Sequence, residues 1–334
     1  MEYRNLGKTN LKVSATGFGA WGIGGATPGP TSYGHQADDV SLQALECALD
    51  SGITFFDTSS VYGYGHSEEL IGRAFEHKRD RVVIATKAGL SSYEEPPDFS
   101  PSYLLKSLES SLKRLRTDFV DLLLLHNPPP EVAINGDAIA ALADDLKSQG
   151  KIRAFGVSLR SPLDGAAFLE SLGVDAFQTN FNLLDQRAID CGLMDLAHRE
   201  NVSLIARTPL CFGFLSGKIT ENTSFDEQDH RSRWPKKQIL EWLRGASAMR
   251  RCVDELKGQT YVQFALRYCM SFPEIASAIP GMLSPDEVQD NAAASGLGLL
   301  TAKELKEVRR VYEELNADSE KNLQNRDGDL GRVS

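Results

Sequence analysis

Eight times along this chain an apolar, strand-like run gives way to a helix-like stripe, and that alternation leaves few folds open. The strand-like runs lie near 15–20, 54–57, 82–87, 119–126, 152–158, 176–180, 203–208 and 276–280. Between them, apolar residues recur at spacings of three or four. Leu42, Leu45 and Leu49 share a stripe, as do Leu104, Leu108, Leu112 and Leu115; so do Ile139, Leu142 and Leu146, and Ile189, Leu193 and Leu196. Runs such as Val82-Val83-Ile84, or the four leucines at 122–125, do not alternate with polar residues. That pattern suits parallel strands covered by helices on both faces. Eight such units within 334 residues predict closure into one α/β domain, a (β/α)8 barrel of the TIM type, rather than an open sheet. A short polar hairpin over 3–14 should precede the barrel. The barrel should occupy 1–318, and the polar, glycine-containing stretch 319–334 is expected to form a loose tail. Three stretches exceed ordinary loop length, at 22–37, 89–100 and 213–237. Each follows a strand, so all three belong to the C-terminal rim, where such barrels keep their chemistry.

Charge narrows the partners. Lys and Arg total 36 against 46 Asp and Glu, a net charge of −10. An acidic surface repels phosphate backbones and anionic lipid, so neither nucleic acid nor a membrane is an expected partner, and a small molecule is. The five cysteines, Cys47, Cys191, Cys211, Cys252 and Cys269, are odd in number and form no CxxC pair. That argues against a disulfide framework or a zinc site and fits a reducing compartment. The opening MEYRNLGKTN carries charges where a signal peptide needs an apolar core. The expectation is a cytoplasmic protein. No HExxH or comparable histidine spacing occurs, so no metal site is expected. The outward helix faces carry no obvious apolar patch from which an oligomeric state could be read.

Four residues carry the chemistry. Asp57 lies in TFFDTS, Tyr62 in VYGYG, Lys87 ends VVIATK and His126 ends FVDLLLLH. An aspartate, a tyrosine, a lysine and a histidine on one rim of a barrel make a proton donor for carbonyl reduction. A phenol with an ordinary pKa of about 10 donates poorly at neutral pH. An ammonium ~4 Å away contributes on the order of 4 kcal/mol at an effective dielectric near 20, enough to lower that pKa by roughly three units. Asp57 would hold the lysine, and a neutral histidine would orient the substrate oxygen. Each residue alone has a plainer role: a turn cap, a rim aromatic, a snorkelling lysine, a satisfied histidine. Packing alone would not ask for all four together.

The stretch GFGAWG at 17–22 matches GxGxxG, but the glycines run into a further loop, GIGGATPGPTSYG, and helical spacing resumes only near Asp38. A dinucleotide fingerprint needs a helix opening on the glycines, so this match is rejected. Trp21 is instead expected to line the substrate entrance, together with Tyr93 and Trp234 from the other long loops.

The segments DTSSVYGYGHSEELIG, ATKAGL, LLLLHNPPP, GVS, NFNLL, GFLSGK and IPG…NAAA together resemble the aldo-keto reductase superfamily, from YRNLGKTNLKVS to about Ala294. Tyr62, Lys87, Asp57 and His126 fall on that family's catalytic positions. The resemblance implies a barrel that binds a nicotinamide dinucleotide without a Rossmann domain and interconverts an alcohol with an aldehyde, ketone or sugar carbonyl, Tyr62 donating the proton. It implies that Ser158 and Gln178 hold the nicotinamide carboxamide and that Arg207 stacks on the ring. Many members have an asparagine after that serine, where this chain has Leu159. Pro209, Leu210, Gly213 and Lys218 would approach the pyrophosphate, and Gly281, Leu283, Glu287 and Asn291 would surround the adenosine. Members that prefer NADP(H) usually offer basic side chains at this last segment. This chain offers Leu283 and Glu287, residues suited to NAD(H), but the family habit tips a nearly even balance towards NADP(H). Ser284 before Pro285 also reads as a helix N-cap, with Asp286 and Glu287 suited to the helix dipole. The alternative role is a non-catalytic or regulatory barrel that binds the cofactor, like the β subunits of potassium channels. Those usually lack the active-site histidine, which is present here as His126.

Overall fold

The structure is a computed structural model that describes residues 1–27, 29, 31–252 and 258–317. The expected tail at 319–334 lies outside the described residues. Strands β1 (Tyr3–Asn5) and β2 (Lys12–Ser14) pair antiparallel as the expected hairpin. Eight parallel strands follow in consecutive order: β3 (Phe18–Gly19), β4 (Phe55–Asp57), β5 (Val83–Ala88) and β6 (Val120–His126), then β7 (Ile152–Ser158), β8 (Ala176–Asn180), β9 (Ser203–Arg207) and β10 (Ile275–Ile279). β3 is shorter than the apolar run suggests, because the chain on either side of it turns to meet the last strand. Thr16 bridges to Ala278 and Gly19 to Gly281, both parallel. The amide of Gly17 donates to the Ala278 carbonyl at 2.8 Å, and that of Gly19 to the Pro280 carbonyl at 2.9 Å. A Cβ at position 19 would stand 2.9 Å from the Ile279 carbonyl oxygen, so only glycine lets the first and last strands approach this closely. Gly17 and Gly19 of GFGAWG thus serve barrel closure.

Inside the ring, Phe55, Ala85, Leu122, Leu124, Ala154 and Ile205 pack with Leu6, Leu11 and Val13 of the hairpin. The hairpin therefore plugs the N-terminal end of the barrel. Arg4 fastens it there, donating to the carbonyls of Met270, Phe272 and Ile275 at 2.6–3.1 Å. A second, larger core lies between the strands and the outer helices. The helix Pro101–Leu115 shows how local sequence sets these helices. Ser100 caps it by accepting from the Tyr103 amide, Pro101 suits the first turn, and Leu104, Leu108 and Leu115 are buried. Beside it, buried Asp121 on β6 is neutralised by Arg79 and Arg153, each at 2.7 Å. With one end plugged and the flank sealed, the strand C-termini are left to carry the open rim.

Candidate active site

The four residues singled out in the sequence do meet. Asp57 and His126 are the last residues of β4 and β6, Lys87 lies on β5 facing Leu124, and Tyr62 opens a short turn, Tyr62–Gly65, just beyond β4. That turn contains Tyr64 and Gly63 at positive φ, 51° and 60°. It presses against the Gly22–Gly24 turn, where a Cβ at Gly24 would meet the Gly63 amide at 2.8 Å. Two turns that abut through Gly24 and Gly63 set the height of the tyrosine above the barrel.

Lys87 is buried, and its ammonium has three donors with three acceptors: Asp57 Oδ1 at 2.6 Å, the Thr58 carbonyl at 2.9 Å and the Tyr62 hydroxyl oxygen at 3.1 Å. Because the phenol oxygen accepts from Lys87, its own hydrogen is left for another acceptor. The second oxygen of Asp57 accepts from Gln178 Nε2 at 2.7 Å. His126 Nδ1 lies 3.0 Å from Ser59 Oγ, while Nε2 is buried without a protein partner. The imidazole meets the Tyr62 ring edge-on, with centroids 5.9 Å apart.

The expected direction of one shift is reversed. Burial, reinforced by the Asp57 carboxylate and only partly opposed by Arg207, pushes the Tyr62 phenol above its ordinary range. Loss of water outweighs the pull of the ammonium on the phenol, and the Asp57 carboxylate 2.6 Å from that ammonium offsets much of its charge. Burial also pulls Lys87 down against the opposing pull of Asp57. Burial, then Lys87 and Arg207, hold His126 well below the usual histidine range, so it is neutral. The site thus presents a fully protonated phenol and a neutral imidazole.

A cavity of about 340 Å³ opens from this cluster. Asp57, Tyr62 and Trp21 line one end, with Gln178 and Arg207 from β8 and β9. Pro209, Leu210, Gly213 and Lys218 continue the wall along the loop after β9. Gly281, Leu283, Glu287 and Asn291 complete it after β10. Ser158 sits behind the wall, fully buried, its hydroxyl 3.2 Å from Gln178 Oε1 and 3.4 Å from Asn127 Oδ1. Arg207 is partly buried at the cavity wall; it donates to Asn127 Oδ1 and to the Leu159 carbonyl, both at 3.1 Å, and its buried Nε has no partner. The amide side chain absent after Ser158 is thus supplied to this cluster from the end of β6, by Asn127, which holds a positive φ of 50°. Ser284 caps the helix Pro285–Ala293, and Glu287 Oε2 accepts from the Leu283 amide at 2.9 Å while facing the cavity.

Two of the three expected pocket aromatics stand off the wall. Trp234 packs against Phe212, His230 and Trp242, with centroids 4.9, 4.8 and 4.6 Å away, inside an aromatic cluster beneath the loop after β9. Tyr93 has its hydroxyl buried close to Trp21 and Tyr62 rather than on the cavity wall. Their places are taken by Tyr33 and Phe212. Tyr33 lies 5.1 Å from Trp21 and under the Arg231 guanidinium at 4.8 Å, and Arg231 is held by Asp229 at 2.6 Å. The loops after β3 and β9 therefore join above the cavity, through bridges from Asp229 to Ser32 and Tyr33. No local pattern marks Tyr33 in GPTSYGH; the contact is made between loops roughly two hundred residues apart. Phe212, at a positive φ of 55°, has a backbone that its sequence does not announce.

An eight-stranded α/β barrel with a tyrosine, lysine, aspartate and histidine at the strand ends beside a long cleft defines a class of barrel oxidoreductase. The family model "Aldo/keto reductase family" matches residues 15–313, and the chain belongs to that family. It is 30% identical over 326 residues to aldo-keto reductase YhdN of Bacillus subtilis (strain 168), covering 95% of this chain and 96% of that one. It is 28% identical over 331 residues to a probable voltage-gated potassium channel subunit beta of Arabidopsis thaliana, covering 94% and 97%. The structure of the glycerol dehydrogenase AKR11B4 from Gluconobacter oxydans superimposes with a TM-score of 0.79 at 31% identity, covering 93% and 95%. Aldo-keto reductases use nicotinamide cofactors, and membership of the family makes this protein a carbonyl–alcohol oxidoreductase.

Proposed function

We propose that this protein reduces a small aldehyde, ketone or sugar carbonyl, or oxidises the corresponding alcohol, with Tyr62 as the proton donor. The observation that carries this reading is the hydrogen-bond chain Asp57–Lys87–Tyr62, at 2.6 and 3.1 Å, buried beneath the cleft. Lys87 donates to the phenol oxygen and Asp57 anchors Lys87, so the phenol keeps one defined direction for its own hydrogen. As that hydrogen leaves, negative charge on the phenol oxygen is met by the ammonium already bonded to it. His126 Nε2, unpartnered, is the second group able to bond the reacting oxygen. The presence of His126 and the intact network favour catalysis over a purely regulatory barrel.

The residues present suit a nicotinamide dinucleotide, which supplies the hydride when bound. Gln178 and Ser158, already bonded to each other, would hold the carboxamide. Arg207, with its orphaned Nε, would lie against the ring. Gly213, at a φ of 95°, would let backbone approach the phosphates, with Lys218 as counter-charge. At the far end Glu287 and Asp290 both line the cavity, and a carboxylate there repels a 2′-phosphate but can accept from a free 2′-hydroxyl. On that ground we favour NAD(H) over the family habit of NADP(H). The test is a panel of aldehydes, ketones, sugars and polyols assayed in both directions with both cofactors. A tenfold or greater preference for NADPH would remove Glu287 from the argument, and no turnover with any carbonyl would remove the enzymatic reading.

A further inference from the structure

Ser59 was not among the residues singled out by chemistry, yet it is fully buried and its hydroxyl is the partner of His126 Nδ1, at 3.0 Å. The direction of that hydrogen bond decides which ring nitrogen carries the single proton of a neutral imidazole. Ser59 Oγ also accepts, at 3.5 Å, from the amide of Val61, a bond that uses a lone pair and leaves the hydroxyl hydrogen to be placed. Among the described residues His126 Nδ1 is the one acceptor within reach of that hydrogen. Were Nδ1 protonated instead, a buried hydroxyl hydrogen would be stranded, which costs about 1–3 kcal/mol. The opposite arrangement satisfies both groups: Ser59 donates to Nδ1, and the imidazole proton sits on Nε2, the nitrogen with no protein partner.

We propose that Ser59 is a positioning residue that locks His126 in the Nε2–H tautomer, so that the imidazole can act only as a second hydrogen-bond donor to the reacting oxygen and not as a base. The proposal rests on the reading of Tyr62 as proton donor, since a histidine fixed as a donor leaves the proton transfer itself to the phenol. Ser59 lies two residues after Asp57 and three before Tyr62, so one short segment sets all three functions.

The tautomer can be read without turnover. Histidine-15N-labelled protein should show, in long-range proton–nitrogen correlations, a pyridine-type Nδ1 and a pyrrole-type Nε2 for the resonance that disappears in His126→Asn. A protonated Nδ1 overturns the proposal, whatever becomes of the role of Tyr62, and this spectrum decides the matter even if Ser59 variants fold poorly. Ser59→Ala should lower kcat about 10-fold with KM for the dinucleotide unchanged, and Ser59→Thr, which keeps the hydroxyl, should restore it. A Ser59→Ala enzyme with kcat within about twofold of the parent, or equal impairment of both variants, also overturns it.

Discussion

The two ends of the cavity are made differently. At the inner end Asp57, Lys87 and His126 stand on strands, are almost wholly buried, and are tied to one another or to Ser59, Thr58 and Gln178. At the outer end Lys218, Leu283 and Glu287 come from loops and a helix start, and are partly exposed or capping. Under the proposed function, the contrast separates two tasks. Proton transfer needs groups held without water and with no freedom to turn, which strand ends provide. Cofactor choice needs only a local balance of charge, which a loop can change without disturbing the barrel.

The largest test of that division falls on the inner end. Tyr62→Phe removes the donor but no packing, so kcat should fall by about 10²- to 10⁴-fold while the dinucleotide Kd, measured by fluorescence quenching, moves less than about threefold. A near-normal kcat would place the donor elsewhere.

Asp57→Asn tests whether the inner end is also the stability-critical one. It leaves the Lys87 ammonium buried without its counter-charge, and should lower unfolding free energy in urea by about 3–5 kcal/mol. Glu287→Gln at the outer end keeps an acceptor for the Leu283 amide and removes only a charge from the first helical turn, so it should cost about 1 kcal/mol or less. Equal losses would erase the distinction.

Acid should unfold the protein through its buried histidines. His126 is held well below the normal range, chiefly by burial, and burial likewise lowers His230 to about 3. Below an unfolded histidine pKa of about 6.5, the unfolded chain binds two protons that the native state refuses. Stability therefore falls as pH drops from about 6.5 towards 3, by up to about 1.4 kcal/mol per pH unit for each histidine. His230→Phe should halve that slope in urea titrations across this window, and an unchanged slope would exclude His230.

The smallest effect belongs to the outer rim. Leu283→Arg should raise kcat/KM for NADPH relative to NADH by about tenfold, with kcat for NADH nearly unchanged. No change in the ratio would mean that Leu283 does not face the ribose.

Much of this is legible in the sequence. The boundaries of β7 and β8 coincide with the apolar runs, the Ser284 cap is in place, and Asp57, Tyr62, Lys87 and His126 gather at the strand ends where residue type and spacing put them. Other features had no local trace. Trp234 looked like a pocket wall because it sits in a charged rim loop, but four aromatics from 212 to 242 close around it. The roles of Asn127 and Tyr33 leave no local sign, because their partners Arg207 and Arg231 are distant in the chain.

The sequence by itself determined the barrel and the kinds of group on its rim, since strand and helix periods are short-range and strand ends can be counted. Only the tertiary structure decided how those groups behave. The direction of the Tyr62 shift, the partner of Asp57's second oxygen and the hydroxyl facing His126 depend on desolvation and on distances between separate strands. Those quantities do not exist until the ring has closed and water has been driven from its end.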